Sequence, residues 1–291
     1  MIPAKILLFG EHIVLQGAQA LAMPWTQFGG SWDYSSDKGL QRDLPSFLAY
    51  LQALENAQQL LAPINLTTFS NEIKEGLYFK SNIPTGYGAG SSGALTAAIY
   101  QRYLIGALTT DLKVLKQQLG QMESYFHGAS SGTDPMICLL NQAVLIDPEK
   151  GFSTLELDLT PSHLGGCFFV LDTGQPRKAE PWIQFFKQKC KDQGFQTLMH
   201  KALILNSNQA IHALVAGQSE VLFDAIDQIS LFQIAHLAEM IPTSYQPLWR
   251  QALEGDALRL KICGAGGGGF ILGFCRTEEE LSKLIDRYQI Y

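Results

Sequence analysis

Apolar residues recur along this chain with two periods, one short and strand-like, one helical. Ile2–Phe9 is a nearly continuous apolar run that stops at Gly10 and predicts a strand. Further strands are predicted at residues 20–24, 30–34, 64–69, 77–80, 143–147, 166–172, 258–263 and 270–275, from β-branched and aromatic content between breaks. Leu48, Leu51, Leu54 and Leu61 keep helical spacing over residues 44–61, with Pro45 suited to a helix start. An apolar run over 94–104 also reads as helix. Asp111 then opens another, in which Leu112, Leu115, Leu119, Met122 and Phe126 form one stripe. Helices are predicted again at 182–191, 197–216, 222–237, 245–253 and 278–288.

The chain's 291 residues imply two domains or one large one. Pro161 and Gly165-Gly166 interrupt an otherwise even composition, so the boundary is expected near 160, giving 1–160 and 161–291. Hydrophobic content of 46% with 16% charged residues describes a folded protein. The net charge of −6, without a long basic run, argues against a nucleic-acid binder, and a small anionic substrate would need local positive groups. No apolar stretch reaches the roughly 20 residues of a membrane helix. The run at residues 6–9 is too short for a signal-peptide core, so no membrane partner is expected. Five cysteines without C-x-x-C spacing argue against a disulfide scaffold or a zinc site and point to the cytosol.

Candidate chemistry concentrates in residues 81–98, SNIPTGYGAGSSGALTAA. A predicted strand leads to Pro84, then Gly86, Gly88, Gly90 and Gly93, then a helix. Glycines allow positive φ and close approach of backbone to a ligand, and a helix N-terminus offers free N–H groups to an anion. Ser91 or Ser92 could cap the helix or offer an oxygen to a phosphate-bound Mg²⁺. Gly88–Gly93 fits G-x-G-x-x-G, yet the acid that a dinucleotide fold wants about twenty residues on is missing; that region, Thr110-Asp111-Leu112, looks like a helix start. The absence of any Gly-Lys pair excludes a Walker A loop.

Other candidates lie apart. The first strand breaks at Gly10-Glu11-His12. Glu123 flanks the apolar stripe of its helix and is followed by His127-Gly128 and Ser130-Ser131-Gly132-Thr133-Asp134. Alone, His127 reads as a surface or satisfied core histidine, and Asp134 as a turn or cap residue. Gly264-Ala265-Gly266-Gly267-Gly268-Gly269 lies between two predicted strands. Five glycines in six residues are entropically costly, which favours a loop pressed against a ligand or against the first glycine loop.

Together these stretches resemble the GHMP small-molecule kinases, the mevalonate kinase branch most closely. Pro3-Ala4-Lys5 through His12 is similar to the first family motif, residues 84–94 to the phosphate loop, and 261–269 to the third motif. Between them, Glu123, His127-Gly128, Ser131-Gly132 and Asp134 match the branch's pattern. The motifs span nearly the full chain and cover about a sixth of it; each is weak alone, and the ordered set is specific. Ala89 stands where the family usually has leucine, Gly93 where alanine is usual, and Phe270 where cysteine is frequent. None of these removes a reacting group.

The resemblance implies an α+β, two-domain fold: a ribosomal S5 domain 2-like N-terminal half with a left-handed crossover, and a ferredoxin-like C-terminal half. It implies ATP-dependent phosphorylation of the primary hydroxyl of a small alcohol, with ATP and Mg²⁺ required and a homodimer admitted. By that resemblance Pro84, Gly86, Gly88, Ala89, Gly90, Ser91 and Ser92 would surround the ATP phosphates. Ser92 and Glu123 would hold Mg²⁺. Asp134 would take the hydroxyl proton with Lys5 beside it offsetting phosphoryl charge. Glu11, His12, Ser131, Gly132 and Thr173 would line the acceptor site, and Gly264, Ala265, Gly266, Gly267 and Gly268 would close the cleft beneath the phosphate loop. Ile13-Val14-Leu15 follows Gly-Glu-His, where galactokinases carry an Asp-Tyr pattern. The alternatives are another kinase of the family, for phosphomevalonate, a sugar or homoserine, and an inactive member serving as sensor or subunit. Retention of Lys5, Ser92, Glu123 and Asp134 argues against the latter.

Overall fold

A computed structural model describes residues 1–291 as an α+β protein. The chain forms two units, one of Met1–Ile6, Met23–Pro84 and Ala89–Gln142, the other of Leu7–Ala22, Thr85–Gly88 and Ala143–Tyr291. Two strands, β1 (Ile2–Phe9) and β2 (Ala20–Tyr34), contribute residues to both. The two strands expected at 20–24 and 30–34 are thus one. Within it Gly30 makes room for the Phe79 ring, which a Cβ there would meet at 2.3 Å.

In the first unit, β3 (Leu77–Ser81) pairs antiparallel with β2, Gly30 opposite Ser81 and Tyr34 opposite Leu77. Helix α1 (Leu44–Asn56) stops five residues earlier than its leucine spacing suggested, because Gln58 takes a positive φ of 58°. The strand expected at 64–69 is helix α2 (Leu66–Lys74). The Asn65 side chain accepts from Thr68 N–H, and Leu66, Phe69 and Ile73 bury one helical face, which outweighs the β-branched content. Helices α3 (Ser91–Tyr103), α4 (Leu112–His127) and α5 (Thr133–Leu140) pack on one another. Asp111 caps α4 as expected, accepting from Lys113 and Val114 N–H. The short α5 was not foreseen; Gly132 at φ 74° starts it and Asn141 at φ 51° ends it. The inner face of α3 carries Gly93, Ala94, Ala97 and Ala98, all buried, so α5 comes close: a Cβ on Gly93 would stand 3.0 Å from the backbone of Asp134.

In the second unit, β4 (Ala143–Asp147) pairs with Ala20–Ala22 of β2 and turns into β5 (Gly151–Leu155), a hairpin partner the sequence did not reveal. The strand order is β1-β2-β4-β5, with β3 on β2. A short helix α6 (Pro161–Leu164) leads to β6 (Cys167–Asp172). Then come α7 (Ala179–Lys189), α8 (Gln193–Met199), α9 (Leu205–Ala216), α10 (Ser219–His236) and α11 (Gln246–Glu254). The single helix expected at 197–216 contains a π-helical turn at His200–Ile204. The glycine-rich segment joins β7 (Leu258–Ile262) and β8 (Phe270–Cys275) as an antiparallel hairpin, as its pattern predicts. The sheet order is β6-β8-β7, α10 packs on β7, and Leu260, Leu171, Ile229 and Trp249 are buried. After α12 (Glu278–Ile285), residues 289–291 run along β6, with Tyr291 and Val170 exchanging backbone hydrogen bonds of 2.9 Å. No helix is long and apolar enough to cross a membrane.

Candidate active site

In the first unit, β1 and α5 bring two distant charged residues together. Lys5 Nζ lies 2.9 Å from Asp134 Oδ2, with side chains 11% and 39% exposed. Lys5 is therefore held by protein on most sides while the carboxylate keeps an open flank, as a group that must meet a substrate requires. Asp134 sits in the first turn of α5 because Gly132 starts that helix in a left-handed conformation; a Cβ on Gly132 would stand 2.0 Å from Lys116 O. Ser131 Oγ donates to Thr133 Oγ1 at 3.1 Å beside it.

Lys5 is also tied to the glycine loop. Its N–H donates to Ala89 O at 3.0 Å, and a Cβ on Gly90 would meet Lys5 Cγ at 2.8 Å. Gly90, at φ 78°, is the N-cap of α3. Neither Ser91 nor Ser92 caps this helix; they occupy its first turn, where backbone N–H groups point outward for an anion. Gly90→Ala is expected to cost about 1–2 kcal/mol for the left-handed backbone alone. By displacing Lys5 it should also lower kcat more than it changes nucleotide affinity, which steady-state kinetics beside an urea melt would read.

Ser92 Oγ instead lies 3.0 Å from Glu123 Oε1, to which it can donate, and 2.9 Å from His127 Nε2. Ser130 Oγ donates to Glu123 Oε2. Glu123 is 3% exposed, and burial, then the nearby Asp134 charge, push its carboxyl above the ordinary range. A buried carboxylate with hydroxyl neighbours and a second carboxylate nearby is a site that a hard cation would relieve. A hydroxyl and a carboxylate oxygen suit Mg²⁺. No cluster of three or more His, Cys, Asp or Glu surrounds them, so a cation here would need phosphate oxygens or water to complete its shell.

The second unit builds its own cluster. Gly10, at φ 98°, turns the chain where a Cβ would overlap Ala20. Glu11 follows, buried, with Oε1 2.7 Å from Lys261 Nζ and accepting from Gln233 Nε2 at 3.1 Å. Gln233 in turn accepts from Ile262 N–H at 2.8 Å, and Lys261 lies 5.6 Å over the Phe9 ring. Glu11 Oε2 is buried without a hydrogen-bond partner. His12, at φ 63°, places Nε2 3.2 Å from Ala265 O and stacks on Phe186 with centroids 4.9 Å apart; burial lowers its pKa. The Gly-Glu-His turn is thus pinned to the 264–269 loop.

Every glycine of that loop has positive φ. Gly267 donates to Met240 O at 2.6 Å and lies under the Trp182 indole, which a Cβ would overlap at 1.8 Å. Thr173, buried, commits both N–H and Oγ1 to Gly269 O, at 3.0 and 2.7 Å. Tyr87 packs on Phe270 with centroids 4.9 Å apart.

The residue that sequence reasoning missed is Arg177. Its N–H donates to Gly86 O at 2.9 Å, and Nη2 would lie 2.5 Å from a Cβ on Gly88 and 2.7 Å from one on Gly264. Both residues take a left-handed φ, 75° and 66°, that favours glycine, and a side chain at either would push the guanidinium aside. Nη2 makes one long bond, 3.4 Å to Cys263 O, and Nε is buried without a partner. Burial lowers the pKa, and no carboxylate forms an ion pair with it at 4.0 Å or less. A desolvated guanidinium against two glycine loops is a natural anion contact. The only signal in the sequence is its place three residues past Gly174 in the Asp-Thr-Gly turn.

Comparison with known proteins agrees with this chemistry. The N-terminal domain model of the GHMP kinases matches residues 49–142, and the C-terminal domain model matches 202–291. The mevalonate kinase of Archaeoglobus fulgidus is 28% identical over 97% of this chain and 94% of its own length. That of Thermococcus gammatolerans is 25% identical over 92% and 86%. Among solved structures, L. major mevalonate kinase in complex with R-mevalonate superposes with a TM-score of 0.64 at 17% identity, covering 98% of this chain and 89% of that one. Streptococcus pneumoniae phosphomevalonate kinase gives 0.64 at 19% identity, covering 99% and 96%. At such identities the superpositions speak for the fold alone. The two domain models, which together match more than half of the residues, identify the chemistry: the chain belongs to the GHMP kinases, ATP-dependent kinases of small molecules.

Proposed function

We propose that this kinase transfers the γ-phosphoryl group of ATP to the primary hydroxyl of mevalonate, giving 5-phosphomevalonate. The Lys5–Asp134 pair carries the proposal, because it puts a proton acceptor and a fixed positive charge at one place. Asp134 takes the hydroxyl proton as the alcohol oxygen bonds to the γ-phosphorus, and the bond from that phosphorus to the bridging oxygen of ADP breaks. Lys5 offsets the charge that spreads over the phosphoryl oxygens. The loop from Pro84 through Ser92 supplies backbone N–H groups to the triphosphate, and Arg177 adds a charge against Gly88 and Gly264. Ser92 and Glu123 would hold Mg²⁺, which supplies charge neutralisation at the β- and γ-phosphates.

On the acceptor side, His12, Ser131 and Gly132 would face the alcohol. Glu11 and Thr173 would fix the loops around it, since both are buried in bonds to neighbouring protein. We take residues 1–160 and 161–291 as the two family domains. Mevalonate is preferred because archaeal relatives matching 92% or more of this chain are mevalonate kinases, and because Ile13-Val14-Leu15 follows Gly-Glu-His.

One observation favours a second reading. Arg177 is a half-buried basic residue, its Nε fully buried, against Gly88 and Gly264, and a phosphorylated acceptor such as phosphomevalonate would call for such a group. A coupled ADP-release assay with mevalonate, phosphomevalonate, galactose and homoserine separates the two. We expect kcat/KM for mevalonate to exceed the others by about 10²-fold or more. A preference for phosphomevalonate would move Arg177 to the acceptor, and absence of ADP release with every alcohol would overturn the assignment.

A further inference from the structure

Ser92 has one hydroxyl hydrogen and two acceptors within reach. Glu123 Oε1 is 3.0 Å away and His127 Nε2 is 2.9 Å away. Glu123 and His127 are four residues apart on α4, so they lie on the same helix face and flank the hydroxyl together. Glu123 is buried and its other oxygen already accepts from Ser130, whereas His127 is exposed at the last turn of α4.

Two hydrogen arrangements satisfy this geometry. In the first, Ser92 donates to Glu123 and His127 Nε2–H donates to Ser92. In the second, Ser92 donates to His127 Nε2 and the imidazole carries its hydrogen on Nδ1. The first suits a Glu123 with nothing else to bind. It fails when a cation takes the facing lone pairs of Ser92 Oγ and Glu123 Oε1, because the hydroxyl hydrogen would then point at the cation's own ligand. The hydrogen must turn to another acceptor, and His127 Nε2 is the atom in place.

We propose that His127 is a positioning residue for the cation site: it accepts the Ser92 hydroxyl hydrogen and so turns the oxygen lone pairs toward the metal. The inference rests on the reading of Ser92 and Glu123 as the Mg²⁺ residues. It also gives the histidine a task that its exposed position would not suggest. Outer partners of this kind orient the inner ligands, and their loss typically weakens metal binding by about 10–100-fold.

The test reads binding, not turnover. Mg²⁺ is titrated into the enzyme with a fluorescent ADP analogue, and the Mg²⁺ concentration at half-maximal enhancement is measured for five proteins: wild type, Ser92→Ala, Glu123→Gln, His127→Leu and His127→Gln. His127→Leu should raise that concentration about tenfold and leave Mg²⁺-free ADP binding unchanged. His127→Gln, whose amide oxygen can stand near the position of Nε2, should stay within about twofold of wild type. Ser92→Ala and Glu123→Gln should each raise it strongly. If those two shift the titration and His127→Leu does not, the role of His127 is wrong while the cation site stands. If Ser92→Ala and Glu123→Gln also leave it unchanged, the cation site itself is wrong and the inference falls with it. Equal losses in both His127 variants would assign the residue to packing and overturn the proposal.

Discussion

Asp134→Asn is expected to fold, bind ATP and lose about 10²–10⁴ in kcat, the usual worth of a positioned base. Asparagine has the same shape, so the approach of Lys5 Nζ, 2.9 Å from Oδ2 in the native pair, can persist through the amide oxygen. What disappears is the capacity to take a proton. The loss should therefore fall on kcat, with little change in the KM for ATP. Single-turnover measurements with excess enzyme separate the chemical step from ADP release and place the loss. A variant that keeps near-native kcat would move the proton acceptor elsewhere. The neighbouring candidate, Glu123, is 3% exposed and already engaged by Ser92 and Ser130.

The largest effect on stability should come from Lys261→Met. Lys261 and Glu11 side chains are 2% and 6% exposed, and their ends are 2.7 Å apart. Methionine fills nearly the same volume, so little packing is lost. The Glu11 carboxylate, however, stays buried with Gln233 alone, and its second oxygen has no partner even in the native protein. Removing one member of a buried pair typically costs about 3–5 kcal/mol, because the remaining charge is left uncompensated. Urea unfolding should show that loss, and the double variant Glu11→Gln with Lys261→Met should recover most of it. A single variant within about 1 kcal/mol of wild type would mean that solvent reaches Glu11. The kinetic companion is a change in acceptor KM, since Glu11 precedes His12 in the turn that Ala265 pins.

How much of this was legible in the sequence depended on whether a role was written locally. The strand before Gly10, the helix capped by Asp111 and the hairpin around Gly264–Gly269 all announce themselves through period and punctuation, and all three stand in the structure. Residues 64–69 misled because Ile64, Leu66 and Thr67-Thr68 favour a strand, while the deciding group was one asparagine side chain bonded three residues on. Serine at the start of α3 suggested a cap, yet a left-handed Gly90 does that work and frees Ser92 for Glu123. The ordered motifs brought Lys5 and Asp134 to notice together; the 2.9 Å between them needed tertiary structure. Arg177, Lys261 and Gln233 were invisible as partners. Each is an ordinary polar residue by spacing, and Gln233 meets Glu11 across 222 positions. Burial of a polar side chain has no local signature when its compensation comes from so far away.

The chain path has one more outcome. It passes between the two units after Ile6, Ala22, Pro84, Gly88 and Gln142. Neither unit can be cut out by breaking a single bond, and a fragment beginning anywhere near Ala143 would lack the segment of its own unit that includes Gly10, Glu11 and His12. Limited proteolysis should therefore release no stable half, and a nick in a surface turn should leave the pieces associated until both melt together.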